Sequence, residues 1–577
     1  MNDQKLENIL NLALDSTERE RQRSENLGIG YDTQTKMWEV IIKYTENLES
    51  VRQIAEEVTE LFGGFAVVRL KESAMELLTE LPQVTYVEKP KALYFSLENA
   101  RAASCLNRIQ SGIEGLSGKN VIFACVDSGV SYTHPDFRNE DGTTRIRYLW
   151  DQTIEGNPPT GYRRGTEYTA DQINEALRAD SAEERRAIVP SEDLSGHGTS
   201  VLGIGAGNGR GSGGRFRGVA YEAELIVVKL GTPGTDRFPR TTELMEGVDY
   251  CIRKSVELQL PVALNLSFGN NYGAHNNSSL LEAYLNTAAG VGKNVICVGM
   301  GNEGIAGVHQ SLTLVENEMT TVEFSVGEYQ QSTNIQVWKS YSDRIRILIE
   351  SPGGVIAGPI EETSGTQRVR IQENELLIYY GEPTPYSVLQ EIYIDFLATE
   401  QYLTSGIWKI RIEPVEIVWN LADLWLPVSE TGNLRTRFLT PSVSGTFTVP
   451  AAAVNVISVA AYDSQTDSYA DFSGRAFNAL PWQGKPDFAA PGVDIQAPER
   501  GGGYRTVSGT SFATPFAAGS AALLMEWGIV RGNDPFLYGN KVKAYLRKGA
   551  RTLPGFSEIP NVRVGYGALC LENSLPE

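Results

Sequence analysis

The stretch TVSGTSFATPFAAGSAALLMEW (506–527) decides the reading of this chain. A hydroxyl pair, Thr510 and Ser511, opens a long apolar run rich in small residues, as expected of a helix packed inside a crowded core. Gly509, Ala513 and Gly519 are the positions that permit such close packing. Ser511 stands at the loop-to-helix turn, where the first backbone N–H groups lack intrahelical partners. Those donors can stabilise a developing oxyanion beside a nucleophilic hydroxyl. A plain helix N-cap, by Thr510 or Ser511, is the competing reading of the same residues.

Working outward, three more strings carry chemistry. CVDSGVSYTHPDF (125–137) places Asp127 at the end of an apolar run, where a carboxylate can orient an imidazole, although Asp before Ser-Gly is also a common turn former. LSGHGTSVLGIGAG (194–207) sets His197, one of only four histidines, between two glycines at the start of a small-residue helix. VGMGNEG (298–304) puts Asn302 in a glycine-rich turn, from which its amide can donate to the same oxyanion or serve simply as a turn residue.

The apolar runs KNVIFACVDSGV, ELIVVKL (224–230), VALNLSFG (262–269) and NVICVGMG (294–301) read as parallel strands covered on both faces. Helical segments alternate with them, which predicts a doubly wound α/β sheet with ligands bound beyond the carboxyl ends of its strands. Before residue 97 the pattern predicts a small ferredoxin-like α+β unit: a helix over 1–26, a strand at 37–44, a helix over 48–60, a strand at 62–70, then a helix and a strand at 84–90. Between 310 and 437 the residues alternate apolar and polar over seven or more short segments, which predicts an inserted β-sandwich or jelly roll.

With the chain order Asp127, His197, Asn302, Ser511, the four strings resemble the subtilisin-like serine peptidases, whose triad follows that order. The resemblance implies an α/β subtilisin-like fold in two parts, 97–309 and 438–577, interrupted by the insert at 310–437. It implies Ser511 as nucleophile, His197 as general base and then acid, and Asp127 as the orienting carboxylate. Asn302 and the Ser511 N–H would form the oxyanion hole, and amide hydrolysis would pass through an acyl-enzyme. Ser267, Phe268 and Gly269 correspond to the family's substrate-pairing segment, with Phe268 in place of the commoner aliphatic residue. Residues 1–96 resemble the family's propeptide, an intramolecular chaperone and inhibitor, and self-cleavage is expected at Phe95, Ser96 or Leu97. Asp136 matches a position that helps ligate calcium in many secreted members, but the loop GNGRGSGGRFRG (207–218) lacks carboxylates, so no calcium or other cofactor is expected there.

The long propeptide, the β-rich insert and the absence of an evident signal peptide resemble the clostridial germination-specific Csp subtilases. Those proteins activate a spore cortex hydrolase precursor, so the partners implied are the chain's own propeptide and a hydrolase zymogen. Synthesis in the bacterial cytoplasm, incorporation into the spore and a monomeric state are expected. The alternative is a signalling or binding protein whose cleft stays occupied by its propeptide.

The 577 residues carry a net charge of −20, which argues against nucleic-acid and anionic-membrane partners. No run approaches the ~18 uninterrupted apolar residues of a membrane span. The five cysteines (105, 125, 251, 297, 570) are scattered without C-x-x-C pairs and read as structural thiols rather than a disulfide framework.

Overall fold

The computed structural model describes residues 5–575 except 19–20, 22–27, 29, 62–63, 91–95, 112–114, 232, 234–238, 364, 430–434 and 479–483. It divides into two compact units, Met1–Phe95 and Ser96–Glu577.

The first unit is built from β1 (Met37–Tyr44), α1 (Glu49–Ile54), β2 (Glu57–Leu61), β3 (Phe65–Lys71), α2 (Met75–Glu80) and β4 (Val84–Glu88). The strands pair antiparallel in the order β4, β1, β3, β2, the arrangement of a split β-α-β fold. Alternation along MWEVIIKY buries Trp38, Val40 and Ile42 on one face, against Val51, Val68 and Leu78. Two sequence expectations are corrected. The helix expected over 48–60 stops at Ile54, and β2 follows as the hairpin partner of β3. Charged Glu56, Glu57 and Glu60 gave this edge strand a helical look, whereas Val58 pairs with Val68 in the sheet. The helix expected over 1–26 is described only as Asn8–Asp15 with separate short pieces, part of that span lying outside the described residues.

In the second unit, β5 (Ile122–Asp127), β6 (Ile146–Asp151), β7 (Glu224–Lys229), β8 (Val262–Leu266), β9 (Asn294–Gly299) and β10 (Ile457–Asp463) form a parallel sheet. Their order across it is β10, β9, β8, β5, β7, β6. The chain crosses from one side of β5 to the other, so β5 is the switch point where such sheets place their ligands. Both faces are covered, and every residue of β5 and β8 is buried. Two helices matter for the site: α3 (His197–Ala206) and α4 (Thr510–Met525). The α4 helix and its continuation to Val530 are apolar and long enough to cross a membrane, but 83% of that apolar window is buried in the fold, the situation of a core helix.

The insert emerges as two antiparallel sheets spanning His309–Phe438. Six strands run in the order 309–313, 421–425, 332–340, 389–398, 374–380, 367–371, and five in the order 356–360, 344–350, 406–416, 320–326, 437–438. Phe324, Phe396 and Trp408 meet edge to face in the core between them. Trp425 of the insert is stacked between His275 and His309, with centroids 4.4 and 4.7 Å away.

The cysteine expectation is also corrected. Cys105 and Cys570 form a disulfide, while Cys125, Cys251 and Cys297 are buried thiols. The partners lie 465 residues apart, a separation at which spacing carries no pairing signal, and only the fold brings the segment after residue 96 against the C-terminal helix. Leu571 N donates to Ser104 O beside the bridge. Cys570→Ser is expected to lower unfolding stability by about 2–4 kcal/mol, read as an earlier thermal melt that reductant reproduces in the parent protein but not in the variant.

Candidate active site

Asp127 ends β5 fully buried, and its Oδ1 accepts from Ser128 N and from His197 Nδ1, both at 2.7 Å. The His197 imidazole is 28% exposed, with its Nδ1 edge turned inward to the carboxylate. Gly198 makes this approach feasible. A Cβ there would lie 2.3 Å from Gly129 O and 3.1 Å from Asp127 Oδ1, so a side chain at 198 would push the histidine away from its partner.

A second carboxylate, Asp193, builds the turn that presents His197. It is buried and accepts from Ser128 Oγ, Gly196 N, Thr199 N and Thr199 Oγ1, at 2.6–2.9 Å. Burial works to raise its pKa, but the bonds from Thr199, Ser128 and Gly196 outweigh burial and hold the carboxyl below its ordinary range. The sequence reading did not single out Asp193. Its only signal was a carboxylate four residues before a Gly-flanked histidine.

Ser511 is the second residue of α4, behind Gly509. In this resting arrangement its Oγ donates to Ser267 O at 3.2 Å, and Ser267 Oγ donates to Ser511 O at 3.1 Å. Asn302 lies across the same opening. Its Oδ1 accepts from Thr510 N at 3.0 Å and Thr510 Oγ1 at 3.2 Å, which leaves the Nδ2 side of the amide to face the cleft near Gly509. Thr510, read from sequence as a possible cap, in fact orients the Asn302 amide. His197, Ser267, Phe268, Gly269, Asn302 and Ser511 all line one cavity of about 710 Å³. The Phe268 ring stands 5.9 Å from the His197 ring, centroid to centroid.

Of the expected processing residues, Phe95 lies outside the described residues, and Ser96 and Leu97 open the helix Ser96–Ala103.

Asp136 does not offer a cation site. Both of its oxygens lie 2.9 Å from the Tyr504 hydroxyl, and Oδ1 also accepts from Gly211 N at 2.8 Å. Burial raises the Asp136 pKa, against the opposing pull of Gly211 N and His134. A single buried carboxylate engaged by hydrogen-bond donors, beside a loop without acidic residues, does not fit a hard cation that needs several oxygen ligands. Among the described residues no cluster of three His, Cys, Asp or Glu groups is placed to hold a metal.

An Asp–His pair joined at a strand end, a serine at a buried helix N-terminus and an amide held across from it define a nucleophilic hydrolase site. The chain belongs to the subtilase family, whose model matches residues 118–379 and 426–567. The Csp protease B prodomain matches residues 4–91. The solved structure of the Clostridium perfringens CspB protease is similar, with 35% identity, a TM-score of 0.76, and coverage of 82% of this chain and 96% of that one. Among curated relatives, the subtilisin-like protease SBT3.11 of Arabidopsis thaliana is 25% identical over 513 residues, covering 80% of this chain and 62% of the relative. The minor extracellular protease Vpr of Bacillus subtilis is 21% identical over 436 residues, covering 71% of this chain. The chain spans only 46% of Vpr's length.

Because hydrogen bonding depresses the Asp193 pKa in the fold, the carboxylate contributes stability above its unfolded pKa, and this is lost as pH falls through the folded value. In a Ser511→Ala background, Asp193→Asn is therefore expected to cost about 1–3 kcal/mol at pH 7. Urea titrations should show that gap closing as the pH drops below the carboxylate range.

Proposed function

We propose that this protein is a serine endopeptidase that cleaves its own N-terminal propeptide and then protein substrates, among them a spore cortex hydrolase precursor. The observation that carries the reading is the 2.7 Å bond between His197 Nδ1 and Asp127, opening onto the same cavity as Ser511 and Asn302. In this reading Ser511 rotates away from Ser267 O, and His197 Nε2 takes its proton as Oγ attacks the scissile carbonyl. Asp127 holds the imidazole in the Nδ1–H tautomer and stabilises the imidazolium. The negative charge on the carbonyl oxygen falls between Asn302 Nδ2 and the Ser511 N–H. His197 then protonates the departing amine, and water resolves the acyl-enzyme by the same steps in reverse.

The match to a Csp prodomain and the similarity to the CspB protease support the division of labour: propeptide at 1–96, protease at 97–309 and 438–577, and a jelly-roll insert at 310–437. Synthesis in the bacterial cytoplasm, incorporation into the spore, a monomeric state and a function without calcium complete the proposal.

Purified parent protein is expected to run as two pieces, the smaller of about 95 residues, whereas Ser511→Ala remains one chain. Equal cleavage of the two proteins would refute the mechanism. Asn302→Ala should slow processing by about 10²–10³-fold, as loss of one oxyanion donor does. A chelator should leave the melting temperature unchanged, while Tyr504→Phe, which removes the donor to Asp136, should cost about 1 kcal/mol in denaturant titration.

A further inference from the structure

We propose that the far end of the inserted β-domain is a docking site for a protein segment that presents apolar side chains beside lysine or arginine. The site stands apart from the catalytic cleft and does not rest on its chemistry.

The strands 309–313 and 421–425 meet the body of the protease at their His309 and Trp425 ends, where Trp425 stacks on His275. The loops 314–319 and 417–420, at their other ends, are carried away from it. Antiparallel pairing sets the loops 341–343 and 381–388 at that same end. Hydrogen bonds join these four loops into one surface. Leu314 N donates to Asn420 O at 2.8 Å, and Asn317 N donates to Pro414 O at 3.0 Å. Tyr341 N donates to Val388 O at 3.3 Å.

Asp343 holds the centre. Its side chain is buried, and its carboxylate accepts from Val418 N at 2.7 Å, Trp419 N at 2.8 Å and Asn420 N at 3.2 Å. The buried Lys339 donates to Asp343 O. The turn fixed in this way keeps its apolar side chains in solvent, Val418 70% exposed and Trp419 63%. Val315 and Met319 are exposed on the adjoining loop, and Tyr341 and Val388 on the other flank. Single exposed apolar residues are ordinary, but a set of them on loops bonded to one another forms a patch, and such patches mark interaction sites. A tryptophan on a pre-set turn suits an anchor, because little loop entropy remains to be lost on binding.

The charge around the patch selects the occupant. Glu316, Glu318, Glu382 and Glu416 are exposed on or next to these loops, and the loops themselves contain no lysine or arginine. Arg344, opposite Glu416 in the sheet, lies at their base. An acidic rim around an apolar centre attracts a basic segment, and it repels an anionic membrane or a second copy of the same end.

The test uses full-length Ser511→Ala protein, so that added peptides survive, and the fluorescence anisotropy of a labelled amphipathic peptide of leucine and lysine. A leucine–glutamate counterpart and vesicles containing phosphatidylserine are run beside it. The lysine peptide should bind and the glutamate peptide should not. Trp419→Ala and Val418→Asp should each weaken binding by about 10-fold or more, the scale of losing an interface anchor. Glu316→Lys combined with Glu318→Lys should weaken it as well, and this pair, altered only at exposed positions, carries the test if an apolar variant melts early. Tyr329→Ala, also exposed but at the opposite end of the insert, should leave binding unchanged. Absence of binding, binding that ignores the substitutions at the patch, equal binding of the glutamate peptide, Trp419-dependent binding to the vesicles, or a dimer that Trp419→Ala dissolves would overturn the proposal.

Discussion

The site depends on one packing constraint: α4 must run buried through the core and still deliver its N-terminus to the carboxyl edge of the sheet. A helix can be enclosed this closely only if its neighbours approach at backbone distance. A Cβ at Gly519 would lie 2.5 Å from Val219 Cβ, and one at Gly205 of α3 would lie 2.1 Å from Phe123 Cζ. These glycines bring α3 and α4 together over β5, and with them His197 and Ser511. The helix end supplies the N–H groups that the proposed mechanism uses for charge stabilisation, and Thr510 in the same turn fixes the amide of Asn302. Folding energy and catalytic geometry therefore draw on the same small residues.

The supporting polar groups follow a consistent logic. Asp127 and Asp193 are both buried at the mouth of the sheet, yet they do different work. Asp193 is saturated with donors and shapes the turn. Asp127 spends one oxygen on Ser128 N and His197, and its Oδ2 has no hydrogen-bond partner among the described residues. A buried carboxylate placed here holds the imidazole with its Nδ1–H turned inward, the orientation a proton-shuttling histidine requires. At Asp136 the phenol of Tyr504 makes the local bonds.

The parallel strands, Asp127, His197, Asn302 and Ser511 were legible in the sequence because each sits in a short string whose glycines and hydroxyls serve a local geometric purpose. The insert was legible too, since alternation along RIRILIES and EIYIDFLA reports a half-buried strand without reference to its partners. What escaped was non-local. The Cys105–Cys570 bridge joins positions that only the completed fold makes neighbours. The strand Glu57–Leu61 was hidden by its charges, which suit a solvent-facing edge as well as a helix.

The central claim is that Asp127 and His197 activate Ser511 as a nucleophile. Intact-mass analysis of the parent protein treated with a fluorophosphonate at neutral pH, followed by peptide mapping, tests it most directly. The account predicts one adduct, on the peptide containing Ser511, formed orders of magnitude more slowly in His197→Ala. A protein that stays unlabelled, or that labels equally fast without His197, would contradict it.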